Sequence, residues 1–157
     1  MDIDAQIAEW EPTVPQQIRS DVLWRNAAYR LATFASDTTW PDITKIAADP
    51  RTSSVADQLF RAIGSIGANY TEGYSRGTDR DRCRVYEMAL SEARECRDWA
   101  YKTRRVIGEE RASELLILFT RIVQLLTVTI VRERSRNSRL GPGKPQNHPR
   151  RTTDDAR

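Results

Sequence analysis

Apolar positions recur along this chain at spacings of three and four, the period of one face of an α-helix, in four separate stretches. The first runs Leu23, Trp24, Ala27, Ala28, Leu31, Phe34 and Ala35, with Ser20 placed to cap a helix opening at Asp21 and fading near residues 37–39. The second runs Val55, Leu59, Ile63, Ile66, Tyr70 and Gly73 behind Ser54-x-x-Asp57, which has the form of a capping box. A third follows Thr78-x-x-Asp81 and contains Val85, Ala89, Glu92, Cys96, Trp99, Thr103 and Val106, with a parallel stripe of Tyr86, Leu90, Ala93, Arg97 and Ala100. Gly108 suits the position just past its end. The fourth starts near Glu109, with acids in its first turn, and is apolar over more than one stripe from Leu115 to Ile130.

Between the first two helices lies "TTWPDITKIAADPRTSS", with prolines at 41 and 50. It reads as a connector with one short helical turn, and Trp40 is its expected anchor in the core. No alternating strand pattern and no internal repeat occurs. Four helices on short connectors predict an all-α fold, an antiparallel up-down four-helix bundle over residues 20–136, preceded by an N-terminal extension over 1–19. After Arg136 the periodicity stops. Residues 137–157 hold three of the seven prolines and almost no large apolar residue, so this basic C-terminal tail is predicted to be disordered.

The net charge of +3 is unevenly spread. Residues 132–157 carry eight arginines and lysines against three acids, while the rest of the chain is slightly acidic, with 17 basic residues against 19 acidic. Such a tail seeks polyanions. The start, "MDIDAQIAEW", has no apolar signal-peptide core. The longest apolar run, "LLILF" at 115–119, falls short of the ~20 residues of a membrane span. Cys83 and Cys96 lie 13 apart on one predicted helix, about 20 Å, so they are expected to be buried thiols. A cytoplasmic protein without membrane association is the expectation. His148 is the only histidine and lies in the tail, and the cysteines lack zinc spacing. No metal, cofactor or small-molecule substrate is therefore expected.

Residues 61–76, "RAIGSIGANYTEGYSR", carry glycines at 64, 67 and 73. They match neither a dinucleotide-binding loop nor a P-loop. A helix accounts for more of them. It has the apolar stripe and a second seam of Gln58, Ala62, Ser65, Asn69, Glu72 and Arg76 at spacings of 4, 3, 4, 3, 4. Glycine inside a helix costs ~1 kcal/mol relative to alanine, and close helix approach at Gly64 and Gly67 is the expected return. Gln58, Ser65, Asn69 and Glu72 are thus candidates for a structural polar seam. The sharper alternative is a catalytic pair of Asn69 and Glu72.

"QLFRAIGSIGANYTEGYSRG" (58–77) followed by "VYEMALSEARECRDW" (85–99) resembles the four-helix bundle family of 23S rRNA intervening-sequence proteins, which includes the accessory variability proteins of diversity-generating retroelements. The hallmark S-I-x-A-N-x-x-E-G-x-x-R is matched by Ser65, Ile66, Ala68, Asn69, Glu72, Gly73 and Arg76. In a second hallmark, A-x-G-S-x-x-E, Ala89 and Glu95 match, while Ser91 and Glu92 stand where Gly and Ser are usual. Arg61 or Arg97 is the expected partner for that extra carboxylate. The resemblance spans roughly residues 22–131. It implies an up-down bundle, assembly into homopentameric rings, no enzymatic activity and, in the retroelement branch, work with a reverse transcriptase and RNA.

Beside the catalytic alternative at Asn69 and Glu72, the residues themselves leave two function classes open. One is a non-enzymatic oligomeric scaffold binding RNA or DNA through Arg76, Arg80, Arg84, Arg94, Arg104 and Arg105, with tail arginines assisting. The other is a protein-binding assembly module without nucleic-acid binding. Interspersed acids on the third helix, with pairs such as Asp81–Arg84 and Asp98–Lys102 at ion-pair spacing, would make that face merely a solvated surface under the second class.

Overall fold

The computed structural model describes residues 3–140, with side chains described to residue 136. It is all-helical. Among the described residues there are eight α-helices and two 3₁₀ turns: α1 (Ile3–Trp10), α2 (Gln16–Arg19), α3 (Ala27–Thr38), α4 (Trp40–Ala48), α5 (Ser53–Ser75), α6 (Asp79–Lys102), α7 (Arg104–Ile107) and α8 (Glu109–Leu140), with the turns at Glu11–Thr13 and Val22–Arg25. The four stretches legible as helices correspond to α3, α5, α6 and α8. The other four helices are short and carry too little periodicity to be read as helices, apart from one turn in the connector.

The long elements contact one another in a closed circuit. α6 packs most extensively on α5 and α8, and α3 packs on α5 and α8. Tyr70 near the end of α5 stacks on Tyr86 near the start of α6, at 5.0 Å between ring centroids. Arg82 of α6 donates to Glu133 of α8 at 3.0 Å, and Tyr29 of α3 meets Tyr70 at 6.3 Å. Each of these pairs joins the beginning of one helix to the far part of its neighbour, so successive long helices run antiparallel. The core between them includes Leu31, Leu59, Ile63, Ile66, Leu115, Phe119, Ile122 and Leu126, all buried. These are the positions of the periodic stripes, and the hydrophobic effect sets the faces of the helices accordingly. Cys83 and Cys96 are buried and free of disulfides.

Several local expectations are corrected. Ser20 ends α2. Asp21 instead caps the following 3₁₀ turn, accepting from the Leu23 amide at 2.8 Å, and α3 opens six residues later than expected. The connector is a nine-residue helix, α4, started by Pro41 in its first turn, where a missing N–H costs nothing. Trp40 is not its anchor: it is 56% exposed and lies edge-on to Phe60. Thr39, Asp42 and Ile46 are the buried residues there. Asp42 accepts from Arg111 Nε at 2.9 Å, and Arg111 also donates to Glu114 and to the Thr38 carbonyl. This cluster fastens the start of α4 to the start of α8.

Ser54-x-x-Asp57 forms no cap. α5 begins at Ser53 behind Thr52, whose hydroxyl donates to the Ile46 carbonyl at 2.8 Å. Thr78 does cap α6, accepting from the Asp81 amide at 3.1 Å. Gly108, at φ +94°, closes not the third long helix but the short α7 after a break at Thr103. The helical backbone of α8 continues through Leu140, past the expected stop at Arg136. The rest of the predicted tail lies outside the described residues.

Residues 3–19 pack on this frame. Trp10 and Val14 are buried. Trp10 donates to Asp37 at 2.6 Å and meets Phe34 and Trp24. Asp4 pairs with Arg121 of α8.

α8 also departs from what its longest apolar run implied. Between Leu115 and Val131 the one charged residue is Arg121. By length and composition Glu109–Arg136 is long and apolar enough to cross a membrane, and a third of its most apolar window is buried within the protein. The unburied side shows Ile117, Arg121, Gln124, Val128 and Val131, again at spacings of 4, 3, 4, 3, with Ile117, Val128 and Val131 each about half exposed.

Candidate functional site

Five of the six arginines singled out from the sequence fall into two groups at opposite ends of α6. Arg80 and Arg84 are exposed near its start, with Arg76 just before it, and Arg104 and Arg105 follow its end, on the order of 30 Å away along the axis. Arg94 lies between. At 100° per residue, Arg80, Arg84 and Arg94 project within about 80° of one another. All three are exposed and make no ion pair among the described residues. The acids of the same face are engaged elsewhere: Glu87 with Arg134, Asp98 with Lys102, and Glu95 with the Trp99 indole. Thus Asp98–Lys102 pairs as its spacing predicts, whereas Asp81 accepts from Thr78 and Arg84 is left unpaired.

Arg76 is neutralised by Glu72, one turn earlier on α5. Arg104 lies over the Tyr101 ring at 4.2 Å and pairs with Glu109 at 3.4 Å. Arg105 is exposed.

The α5 seam lies toward solvent in the single chain. Gln58 and Glu72 are exposed, and Ser65 and Asn69 are half-buried. Glu72 bonds within its own helix rather than across to a neighbour. The expected role of Gly64 and Gly67 is also corrected. A Cβ at Gly64 would meet nothing within 4 Å, and one at Gly67 would make an ordinary 3.9 Å contact with Ala32. The glycine that permits close approach is Gly73, where a Cβ would lie 2.6 Å from the Tyr86 ring. Beside Gly64, Trp40 and Phe60 (44% exposed) border a mainly apolar hollow of about 470 Å³ that also includes Ile43, Ile63 and Ala68. Glu92 finds neither proposed partner: Arg61 pairs with Asp57 at 3.2 Å, and no cation contacts Glu92 among the described residues. Burial, and then the Glu95 charge, raise its carboxyl above the ordinary range.

A second concentration of polar groups is one that spacing along the chain does not predict. Where α5 turns into α6, a cavity of about 480 Å³ is lined by Tyr70, Tyr74, Tyr86, Arg82, Arg132 and Arg136, among others. Arg82 and Arg136 each bond both Asp79 and Glu133. The Arg136 hydrogen bond holds the Asp79 carboxyl below its usual range. Arg132 is exposed and makes no ion pair among the described residues. These residues come from three separate stretches of the chain. The only sequence signal for them is that the tyrosines at 70 and 74 stand one turn apart, as do the arginines at 132 and 136. Among the described residues no group of three or more His, Cys, Asp or Glu is placed to hold a metal.

Fold and surface together define a small all-helical protein with an arginine-bearing helix. The family model described as 23S rRNA-intervening sequence protein matches residues 26–128, and the chain belongs to that family. The crystal structure of a protein with unknown function from the S23 ribosomal protein family of Bacteroides thetaiotaomicron VPI-5482, at 1.70 Å resolution, matches with a TM-score of 0.61 at 22% identity. The match covers 66% of this chain and 98% of that one and establishes likeness of fold alone. No curated protein matches the chain.

Proposed function

We infer that this protein is a non-enzymatic, oligomeric scaffold whose core is an up-down four-helix bundle of α3, α5, α6 and α8, and that it binds nucleic acid through arginine side chains on α6. The observation that carries this reading is the row Arg80, Arg84 and Arg94, exposed on one face where Glu87 and Asp98 are already paired with other cations. Guanidinium groups without counter-ions on a rigid helix suit a phosphate backbone, which presents charge without sequence information. Arg105 at the far end adds to the row, while Arg76 and Arg104 are partly neutralised and contribute less.

Assembly is supported by the apolar side of α8. Ile117, Val128 and Val131 are exposed on a seam of coiled-coil spacing whose middle positions are Arg121 and Gln124, and Trp40 and Phe60 add a second apolar patch. A sister subunit is the occupant this reading assigns to them, in a ring whose pentameric count follows from the family resemblance. Around a ring, each arginine row is repeated and avidity rises without new chemistry. Structured RNA and a reverse transcriptase are the partners the resemblance adds.

Gel-shift titration of the full chain with RNA and DNA tests this. Binding at about 50 mM salt should be released near 0.5 M, with little sequence preference. The Arg80→Gln/Arg84→Gln/Arg94→Gln variant should lower the salt slope by roughly one unit for each phosphate it can no longer neutralise. No shift even at about 50 mM salt overturns the nucleic-acid reading. A second reading, a module that binds another protein without nucleic acid, is favoured by the apolar hollow beside Trp40 and Phe60. It predicts a partner that stays bound through nuclease treatment.

A further inference from the structure

The cavity at the α5–α6 end holds chemistry that neither the arginine row nor the core requires. Tyr70 and Tyr86 are 3% and 2% exposed, and their rings stack within the core. Yet neither phenol oxygen bonds any described residue, and neither is sealed from solvent. Both tyrosines line the cavity. Their hydroxyls reach solvent and have no partner among the described residues, so both are available to donate to a ligand there. Burial, and then the nearby Glu133 charge, push the Tyr70 phenol up to about 12, and burial raises Tyr86 as well. Both therefore stay protonated near neutral pH and can donate.

The rest of the lining is rich in donors. Arg132 brings a guanidinium that makes no ion pair among the described residues, and Asn26 an amide that already donates to the Leu23 carbonyl at 3.3 Å and has one N–H left. The carboxylate on the wall, Glu133, is already bonded by Arg82 and Arg136. A donor-rich, acceptor-poor cavity selects an oxyanion. Several donors converging from different helices suit the three terminal oxygens of a phosphomonoester better than the two of a carboxylate. On the same wall Tyr74 is 41% exposed and offers an aromatic face beside the donors, the kind of surface on which bases stack. The volume lies in the range of small-molecule sites, roughly 300–1,000 Å³.

We propose that this cavity binds a nucleoside monophosphate unit, its phosphate held by Arg132 and the hydroxyls of Tyr70 and Tyr86 and its base laid against Tyr74. The unit is either a free nucleotide or the 5′-phosphorylated end of a strand, which share this chemistry. The site is independent of the arginine row, whose members lie outside the cavity.

Calorimetric titration of the full chain with AMP, adenosine, inorganic phosphate and a short oligonucleotide with or without a 5′-phosphate tests the proposal. AMP should bind roughly tenfold or more tightly than adenosine. Tyr86→Phe, which keeps the stacked ring, and Arg132→Gln, at an exposed position, should each weaken AMP by about tenfold. Arg84→Gln should leave AMP binding unchanged. A 5′-phosphorylated strand that outbinds AMP, and drops to the level of AMP or below without its phosphate, identifies a strand end; AMP binding as well as or better than the strand identifies a free nucleotide. If AMP and the phosphorylated strand bind no better than adenosine and the unphosphorylated strand, or if both variants bind AMP normally, the proposal is overturned. Inorganic phosphate binding as tightly as AMP would overturn the part assigned to Tyr74. Loss of AMP binding by an otherwise folded Arg84→Gln chain would place the phosphate on the arginine row and overturn it too.

Discussion

A Cβ atom on Gly73 would stand 2.6 Å from Cε1 and 2.7 Å from Cδ1 of Tyr86. The aromatic ring occupies the space that any side chain on α5 would need there, so this one glycine fixes how closely α5 and α6 approach. The Tyr86 ring is held in turn by stacking on Tyr70, which leaves it little freedom to yield.

Gly73→Ala should therefore destabilise the fold by about 1–3 kcal/mol, the usual cost of overpacking a filled core, despite alanine's better helix propensity. Chemical denaturation of the variant checks this. Adding Tyr86→Leu should recover part of the loss, because it removes the ring that the new methyl meets.

Gly64→Ala should behave in the opposite way. Nothing lies within 4 Å of the added methyl, and alanine is favoured in a helix interior by up to ~1 kcal/mol. The separated chain should gain stability in denaturant. Should the Gly64 face meet a sister subunit closely, sedimentation of the same variant would show weaker assembly alongside that gain.

Glu92 gives a pH dependence of definite sign. Its folded-state carboxyl titrates above its unfolded value because burial, and then Glu95, disfavour the charge. The folded protein thus holds this proton more tightly, and stability is lost as pH rises from the unfolded carboxylate range, about pH 4, through the raised folded value. Glu92→Gln should be more stable than the parent at neutral pH. The difference should vanish below about pH 4, as read from thermal midpoints across pH.

Asp79 works in the other direction. The hydrogen bond from Arg136 lowers its folded carboxyl value. Its contribution is present above about pH 4 and is lost as pH falls through the folded value. Asp79→Asn should flatten the acid side of the stability curve, and Arg136→Gln should flatten it partially, since Arg82 remains bonded to Asp79 at 3.1 Å.

What the residues disclosed in advance follows the range of the physics involved. The stripes at 55–73, 85–106 and 115–130 were legible because helical burial repeats locally, and Leu59, Ile63, Ile66, Val85, Ala89 and Cys96 are indeed buried. The cap at Thr78 was legible for the same reason: donor and acceptor are three residues apart. Gly64 and Gly73 look alike in sequence, and what separates them is a ring thirteen residues after Gly73 on another helix. Trp40 is misleading by size, since a tryptophan suggests a core anchor, whereas the buried residue of that turn is Asp42, whose partner Arg111 lies 69 positions away. Of the candidate site, the arginine row of α6 could be read from spacing. Its freedom from ion pairs could not, because Glu87 is drawn off by Arg134 of α8.

The rings at the N-terminal side have an optical consequence. Trp10, Trp24, Tyr29, Tyr70 and Tyr86 follow one another at centroid separations of 5.0–6.4 Å, linking the indoles to the phenols at the α5–α6 end. Light absorbed by those phenols can pass along this relay and leave as tryptophan emission, which gives the molecule a native fluorescent gauge of whatever settles beside Tyr86.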